Sequence, residues 1–407
     1  MGWDIAWGLI RYNDRFKVYR KLTHQQMSHR AVMQYRDVQE ATVHGFLLRL
    51  TQSPETYRED LSSMGTAIIF RILYGHTVKS FDDHYVTLLQ KAIKTFVYAI
   101  TPGSFLVDML PFLKAVPTWV PGSSFKVTAK KWAKFREDLY DEPFQMVKDR
   151  MAAGNARPSF TSLLLESKEN HVADLDHQDI VKWISGSLYS GGAETIESAL
   201  LTFFLTMTLH PEAQKKAQAE IDRVVGTDRL PTWSDRQNLP YVAALCLEVL
   251  RWHPPGPMGI AHAIYQEDTY RDWRIPAGSI VMGNIWSIAH DEAEYKDPWS
   301  FKPERFIAEE GRVPEKDPLS YIFGFGRRVC PGNALSEGTL FMAMSCVLAS
   351  FWIQKAKDAN GVDIEPVIEY TGDAISLPKP FQCSIQPRSQ HRVDLIRQAA
   401  ERTQNDL

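Results

Sequence analysis

Phe323-Gly324-Phe325-Gly326-Arg327-Arg328-Val329-Cys330-Pro331-Gly332 surrounds one of the chain's four cysteines with two arginines and three glycines. A cysteine without such company is most often a small buried hydrophobe. Here Gly326 and Gly332 let the backbone come close to the sulfur, so that amide N–H groups can point at it. An apolar helix is expected over 333–351, directly after Cys330. A helix N-terminus beside a thiol stabilises the thiolate and lowers its pKa. Such a sulfur suits a metal. The other cysteines, Cys246, Cys346 and Cys383, lie far apart without C-x-x-C pairs, so the chain is no disulfide scaffold and a reducing compartment is expected.

Working outward from the cysteine, three further segments carry chemistry. Glu248-Val249-Leu250-Arg251 spaces a carboxylate and a guanidinium at i,i+3, a pairing that on its own describes many exposed helices. Pro303-Glu304-Arg305-Phe306 adds a second arginine. Gly191-Gly192-Ala193-Glu194-Thr195 sets an acid and a hydroxyl after two glycines inside a helical segment. Alone, Thr195 would bond a carbonyl one turn back and Glu194 would be a solvated carboxylate. Their adjacency after two glycines favours a functional role over either of these.

In this order and spacing the segments resemble the cytochrome P-450 superfamily. The haem-binding pattern F-x-x-G-x-R-x-C-x-G is met at Phe323, Gly326, Arg328, Cys330 and Gly332. The E-x-x-R of the helix called K is met at Glu248 and Arg251, the later arginine motif at Arg305, and the [AG]-G-x-[DE]-T of the helix called I at 191–195. The resemblance runs from about residue 3 to about residue 389. It implies a mainly α fold with small β-sheets, a single domain over 1–407, and haem b bound through Cys330 as the axial ligand of the iron. Glu248, Arg251 and Arg305 would form a structural cluster fixing the cysteine loop, and Thr195 and Glu194 would be the catalytic proton relay. Arg328, His262 and Arg20 would meet the propionates. In Phe16-Lys17-Val18-Tyr19-Arg20 the family's W-R-x-x-R is altered: Phe16 lacks the indole N–H and Lys17 replaces arginine.

The implied activity is insertion of one oxygen atom from O2 into an apolar small organic substrate, with electrons from NADPH through a cytochrome P-450 reductase. Met258, Gly259, Ile260, Leu188 and Ile375 fall where the family lines its pocket. Arg11, Arg15, Lys17, Lys21 and His24 form a basic cluster suited to an acidic reductase face. Ile375, Ser376 and Pro378-Lys379-Pro380-Phe381 fit fungal microsomal members of secondary metabolism, of the O-methylsterigmatocystin oxidoreductase type. The chain would then begin near helix C, without the family's anchor, helix A and first strands, as an amino-terminally truncated gene product. A hydroperoxide isomerase or dehydratase of the same fold is the alternative, though such members often lose the pair kept at Glu194-Thr195. A non-catalytic haem-binding remnant is another.

Composition sets the outer limits. The 407 residues are 44% hydrophobic with a formal net charge of -3, which suits a globular chain and argues against a nucleic-acid protein. Helical periodicity dominates the first two-thirds. Leu61, Met64, Ile68, Ile69, Ile72 and Leu73 share a face before Gly75. Helices are expected from Asp176 to His210, from Pro211 to Val225 and from Pro240 to before Pro254. Strand signals come later: a hairpin at Tyr270-Arg271-Asp272-Trp273, then 279–286 and 381–385. Between Pro102 and Pro121 the chain is apolar and proline-broken, and reads as a loop. The basic amphipathic stretch that follows makes 102–136 a candidate for peripheral membrane contact. The apolar run 200–209 is too short to span a bilayer, and no signal peptide opens the chain. A full-length form is expected on the cytosolic face of the endoplasmic reticulum membrane.

Overall fold

Glycine and proline punctuate the helices where their chemistry requires. The computed structural model describes residues 1–78, 82–100, 103–167, 175–309 and 311–406. The helices in chain order are α1 (Asp14–Met27), α2 (Arg36–Gln52), α3 (Tyr57–Tyr74), α4 (His84–Ile100), α5 (Leu106–Met109), α6 (Ser124–Ala152), α7 (Phe160–Glu166), α8 (His177–Leu209), α9 (Pro211–Val224), α10 (Pro240–Trp252), α11 (Ile285–Ala289), α12 (Asn333–Ser350) and α13 (Gln390–Asp406). Gly75 ends α3 at a φ of 66°, its N–H returned to Arg71 O at 2.9 Å. Pro211 and Pro240 occupy the first turns of α9 and α10, where a missing N–H costs nothing.

The strands are short: β1 (His262–Ala263), β2 (Asp268–Tyr270), β3 (Trp273–Ile275), β4 (Ile280–Val281), β5 (Phe351–Lys355) and β6 (Cys383–Pro387). They pair antiparallel as β1-β4, β2-β3 and β5-β6. The expected hairpin is β2-β3, with Tyr270 opposite Trp273 and Arg271 in the left-handed region. The strand expected over 279–286 is corrected. Only Ile280–Val281 is strand, and Asn284 accepts from Ser287 N–H at 3.0 Å to cap α11. Likewise Phe381 precedes β6, which runs on to Pro387. Within the proline-broken stretch, α5 and a 3₁₀ turn over Pro111–Ala115 replace a plain loop; Pro102 lies outside the described residues.

The chain divides into two compact units. The first comprises the described residues of 1–42 and 59–194; the second comprises those of 43–58 and 195–406. In the first, α8 and α6 come so close that a β-carbon on Gly186 would lie 2.3 Å from the Tyr140 ring. Arg15 of α1 is bonded to Asp179 of α8 at 2.5 Å. In the second, α12 is buried along almost its whole length and forms the centre of the core. Gln214 exchanges two 2.8 Å hydrogen bonds with Ile353, and Gln218 reaches Phe351 O at 2.9 Å, so α9 satisfies backbone groups where α12 passes into β5. The Glu220 carboxylate accepts from Tyr241 N–H and Val242 N–H at 3.0 Å, capping α10. Among the described residues no helix is long and apolar enough to cross a membrane.

Candidate functional site

Cys330 lies in a loop that the backbone ties to itself. Its N–H donates to Phe323 O at 2.7 Å, and Val329 N–H donates to Gly326 O at 3.2 Å around the 3₁₀ turn Gly326–Arg328. Gly324 and Gly326 take φ of 78° and 55°, values a β-carbon disfavours. Gly332 plays another part: it is the N-cap of α12, at φ -91°, and a β-carbon there would meet Cys330 Sγ at an ordinary 3.9 Å. The helix therefore begins beside the half-buried sulfur, where the positive end of its dipole favours a thiolate.

Glu248, Arg251 and Arg305 form a closed ionic cluster, and burial excludes the exposed-pair reading of Glu248 and Arg251. Both side chains are 0% exposed and Arg305 is 2% exposed. Arg251 donates to the Glu248 carboxylate through Nε at 2.7 Å and Nη2 at 2.8 Å, and through Nη1 to Ala289 O and Pro298 O at 2.8 Å. Arg305 Nε reaches Glu248 at 3.2 Å, while Lys302 N–H donates to it at 2.7 Å. Glu315, bonded to Arg305, supplies the second carboxylate, so two cations face two anions. Both guanidiniums lie over the Tyr295 ring, at 5.3 and 6.0 Å. Tyr295 and Tyr321 share a 2.6 Å hydroxyl contact, and burial pushes the Tyr321 phenol up to about 12. Tyr321 is two residues from Phe323, so this contact joins the cluster to the chain that enters the loop.

In front of Phe325 the second unit offers apolar surface with a basic border. A β-carbon on Gly283 would come within 3.0 Å of the Phe325 ring, and one on Gly259 within 3.3 Å of Gly283 O. Strand β1 pairs with β4 through His262 and Val281. Phe325, Val281, Met282, Met258 and Ile260 are exposed here. The His262 imidazole is held below its usual pKa by partial desolvation and then by the charge of Arg328. Burial also lowers the Arg328 pKa, with Tyr265 acting the other way. A guanidinium and an imidazole beside an apolar surface and a thiol fit a flat apolar macrocycle with carboxylate tails and an iron centre.

Helix α8 carries the remaining motif. Gly192 is a packing glycine, its virtual β-carbon 3.0 Å from Ile69, whereas Gly191 has nothing within 4 Å. Glu194 and Thr195 are partly exposed consecutive residues of the helix.

Comparison with known proteins settles the class. The cytochrome P450 family model matches residues 8–384, which span both units. The chain belongs to the cytochrome P450 family. Cytochrome P450 monooxygenase claR of Ampulloclitocybe clavipes is 44% identical over 98% of this chain and 74% of its own length. Cytochrome P450 monooxygenase 208 of Postia placenta is 45% identical over 97% of this chain and 77% of its own. A zebra fish cytochrome P450 solved with abiraterone shares the fold at a TM-score of 0.75 and 22% identity, covering 95% of this chain and 84% of that one. As a P450 the chain is an oxidoreductase of the monooxygenase class, whose chemistry uses haem, O2, a substrate and a redox partner.

Other sequence-expected P450 residues fall out as follows. Phe16 is buried in α1, and Arg20 is half-buried one turn on. Of the basic cluster, Arg15 is bound by Asp179 and Lys17 by Asp14 at 2.8 Å, which weakens it as a docking face. Leu188 and Ile375 are half-buried, and Gly259 takes a φ of 60°. Sequence reasoning missed Gly324, Glu315, Tyr295 and Tyr265. Gly324 was visible as a third glycine in the loop. The others have no spacing signal, because their partners are remote or lie on unrelated elements.

Proposed function

We propose that this P450 inserts one oxygen atom into an apolar small organic substrate, in fungal secondary metabolism or xenobiotic oxidation, with electrons from NADPH through a cytochrome P450 reductase. The observation that carries this reading is Cys330 at the start of α12, in a loop braced by the Glu248 cluster and bordered by apolar surface, Arg328 and His262. Bound haem supplies reductive activation of O2, and a thiolate ligand favours O–O cleavage. Phe323, Gly326 and Gly332 shape the loop that would hold the macrocycle. Arg328 and His262 would meet its carboxylates; the roles of Arg20 and Phe16 toward it rest on resemblance alone. Thr195 and Glu194 hold and pass protons where oxygen is reduced. Met258, Ile260 and Ile375 favour an apolar ligand and exclude water.

We place the enzyme at the cytosolic face of the endoplasmic reticulum membrane. Supporting peripheral contact by the 102–136 region, Leu106, Met109, Phe112 and Trp119 are exposed, Trp119 at 82%, with Lys114 and Lys126 in the same stretch. The test combines haem-loaded protein, reductase and NADPH with panels of apolar substrates. NADPH-dependent hydroxylated product is expected. Thr195→Ala should keep haem and divert reducing equivalents to hydrogen peroxide. Product formed from hydroperoxides without reductase, and none with NADPH, would assign the isomerase or dehydratase class instead.

A further inference from the structure

Ser376 belongs to a turn that closes on itself. Thr371 N–H donates to Leu377 O at 2.8 Å, Leu377 N–H donates to Thr371 Oγ1 at 3.1 Å, and Tyr370 bridges to Pro378. The turn presents Ile375. Ser376 itself is 3% exposed and hydrogen-bonded through every polar group it has. Its N–H donates to Pro255 O at 2.8 Å, and its carbonyl accepts the Ser198 hydroxyl at 2.6 Å. Its own hydroxyl donates to Thr371 O at 3.1 Å, and its Oγ lies 2.9 Å from His253 Nε2. Since the one hydroxyl hydrogen goes to Thr371, His253 Nε2 is the donor in that contact and the tautomer follows.

His253 is buried directly after α10, and its ring stacks on Tyr370 with centroids 3.3 Å apart at 13°. Burial holds its pKa down at about 3, so the imidazole is neutral across the working range. The Tyr370 hydroxyl reaches Thr202 Oγ1 at 3.4 Å. Thr195, Ser198 and Thr202 stand at i, i+3 and i+7, on one face of α8. One hub in the second unit therefore joins three segments: α8 just past Thr195, the chain leading from α10 to Met258 and Ile260, and the turn bearing Ile375. An apolar core would have joined them without direction. A fully satisfied polar network selects a single arrangement.

We propose that His253 and Ser376 are positioning residues that set which apolar ligands the enzyme accepts, by locking the Ile375 turn one helical turn along α8 from Thr195. Bulky apolar ligands that reach Ile375 are read by this lock, and small ones are not. The inference rests on the haem-thiolate reading above. Two iron-binding probes separate the cases, imidazole as the small one and clotrimazole as the bulky apolar one, each titrated spectrally against haem-loaded enzyme. Ser376→Ala, which removes both hydroxyl contacts, should weaken clotrimazole about fivefold to tenfold and leave imidazole within about twofold. His253→Leu should act likewise, and His253→Gln, which keeps an N–H donor, should recover most of the loss. In an Ile375→Ala background, Ser376→Ala should add nothing further.

Equal weakening of both probes, or full additivity with Ile375→Ala, overturns the proposal. So does loss of the haem-thiolate spectrum in both Ser376→Ala and His253→Gln, which makes the hub a folding element only. If the unsubstituted protein lacks that spectrum, the functional reading fails first and this inference falls with it.

Discussion

Glu248→Gln keeps the shape of a buried side chain and removes its charge. In the folded protein the Glu248 carboxylate accepts from Arg251 Nε and Nη2, from Arg305 Nε and from Lys302 N–H. An amide leaves one acceptor oxygen for these donors and turns an N–H2 towards the rest. Arg251 and Arg305 then have one carboxylate between them, that of Glu315, which pairs with Arg305 and accepts from Lys296 N–H rather than from Arg251. Removing one partner of a buried pair costs about 3–5 kcal/mol. A pair of this spacing on an exposed helix is worth only about 0.2–0.5 kcal/mol. Domain stability is about 5–15 kcal/mol, so the substitution removes a large share of it. The Tyr295–Tyr321 contact ends two residues before Phe323, and the Cys330 loop should loosen with the cluster. Urea unfolding followed by tryptophan fluorescence measures the first effect, and haem retained after gel filtration measures the second. A loss under about 1 kcal/mol with full haem retention would refute the argument that burial makes this cluster the support of the loop.

Two further expectations concern stability. Among the described residues buried His44 finds no hydrogen-bond partner for either ring nitrogen, and burial lowers its pKa to about 4 from 6.5. Its folded pKa lies below the unfolded value, so the contribution of His44 to stability is full above pH 6.5 and falls by about 3 kcal/mol as pH drops towards 4. His44→Leu should flatten that slope, and equal slopes in urea titrations at pH 7 and pH 5 would count against it. Gly186→Ala drives a β-carbon into the Tyr140 ring and should destabilise by about 1–3 kcal/mol. Gly191→Ala meets nothing within 4 Å and should gain up to about 1 kcal/mol of helix propensity. Thermal melts of the two variants decide this.

Local chemistry made much of the protein legible. Pro211 and Pro240 open helices because they lack the N–H that a first turn leaves unpaired, and Gly75 closes one through a positive φ. The Cys330 loop was readable because several rare residue types must coincide within ten positions. The run 279–286 misled because a short apolar segment fits strand and helix alike, and only Asn284's cap on Ser287 decides. Arg15 appeared free in sequence because Asp179, its partner, lies 164 residues away. The burial of Glu248 and Arg251 was hidden for the same reason, since their shell comes from residues 289–305. His253 and Ser376 meet across 123 residues, beyond any local pattern.

The central claim is that Cys330 ligates haem iron as a thiolate, and the reduced carbon monoxide spectrum tests it most directly. Haem-loaded protein should show the strongly red-shifted Soret band that thiolate ligation produces, and Cys330→His should bind haem without that shift. A Cys330→His protein that kept the red-shifted band would contradict the assignment.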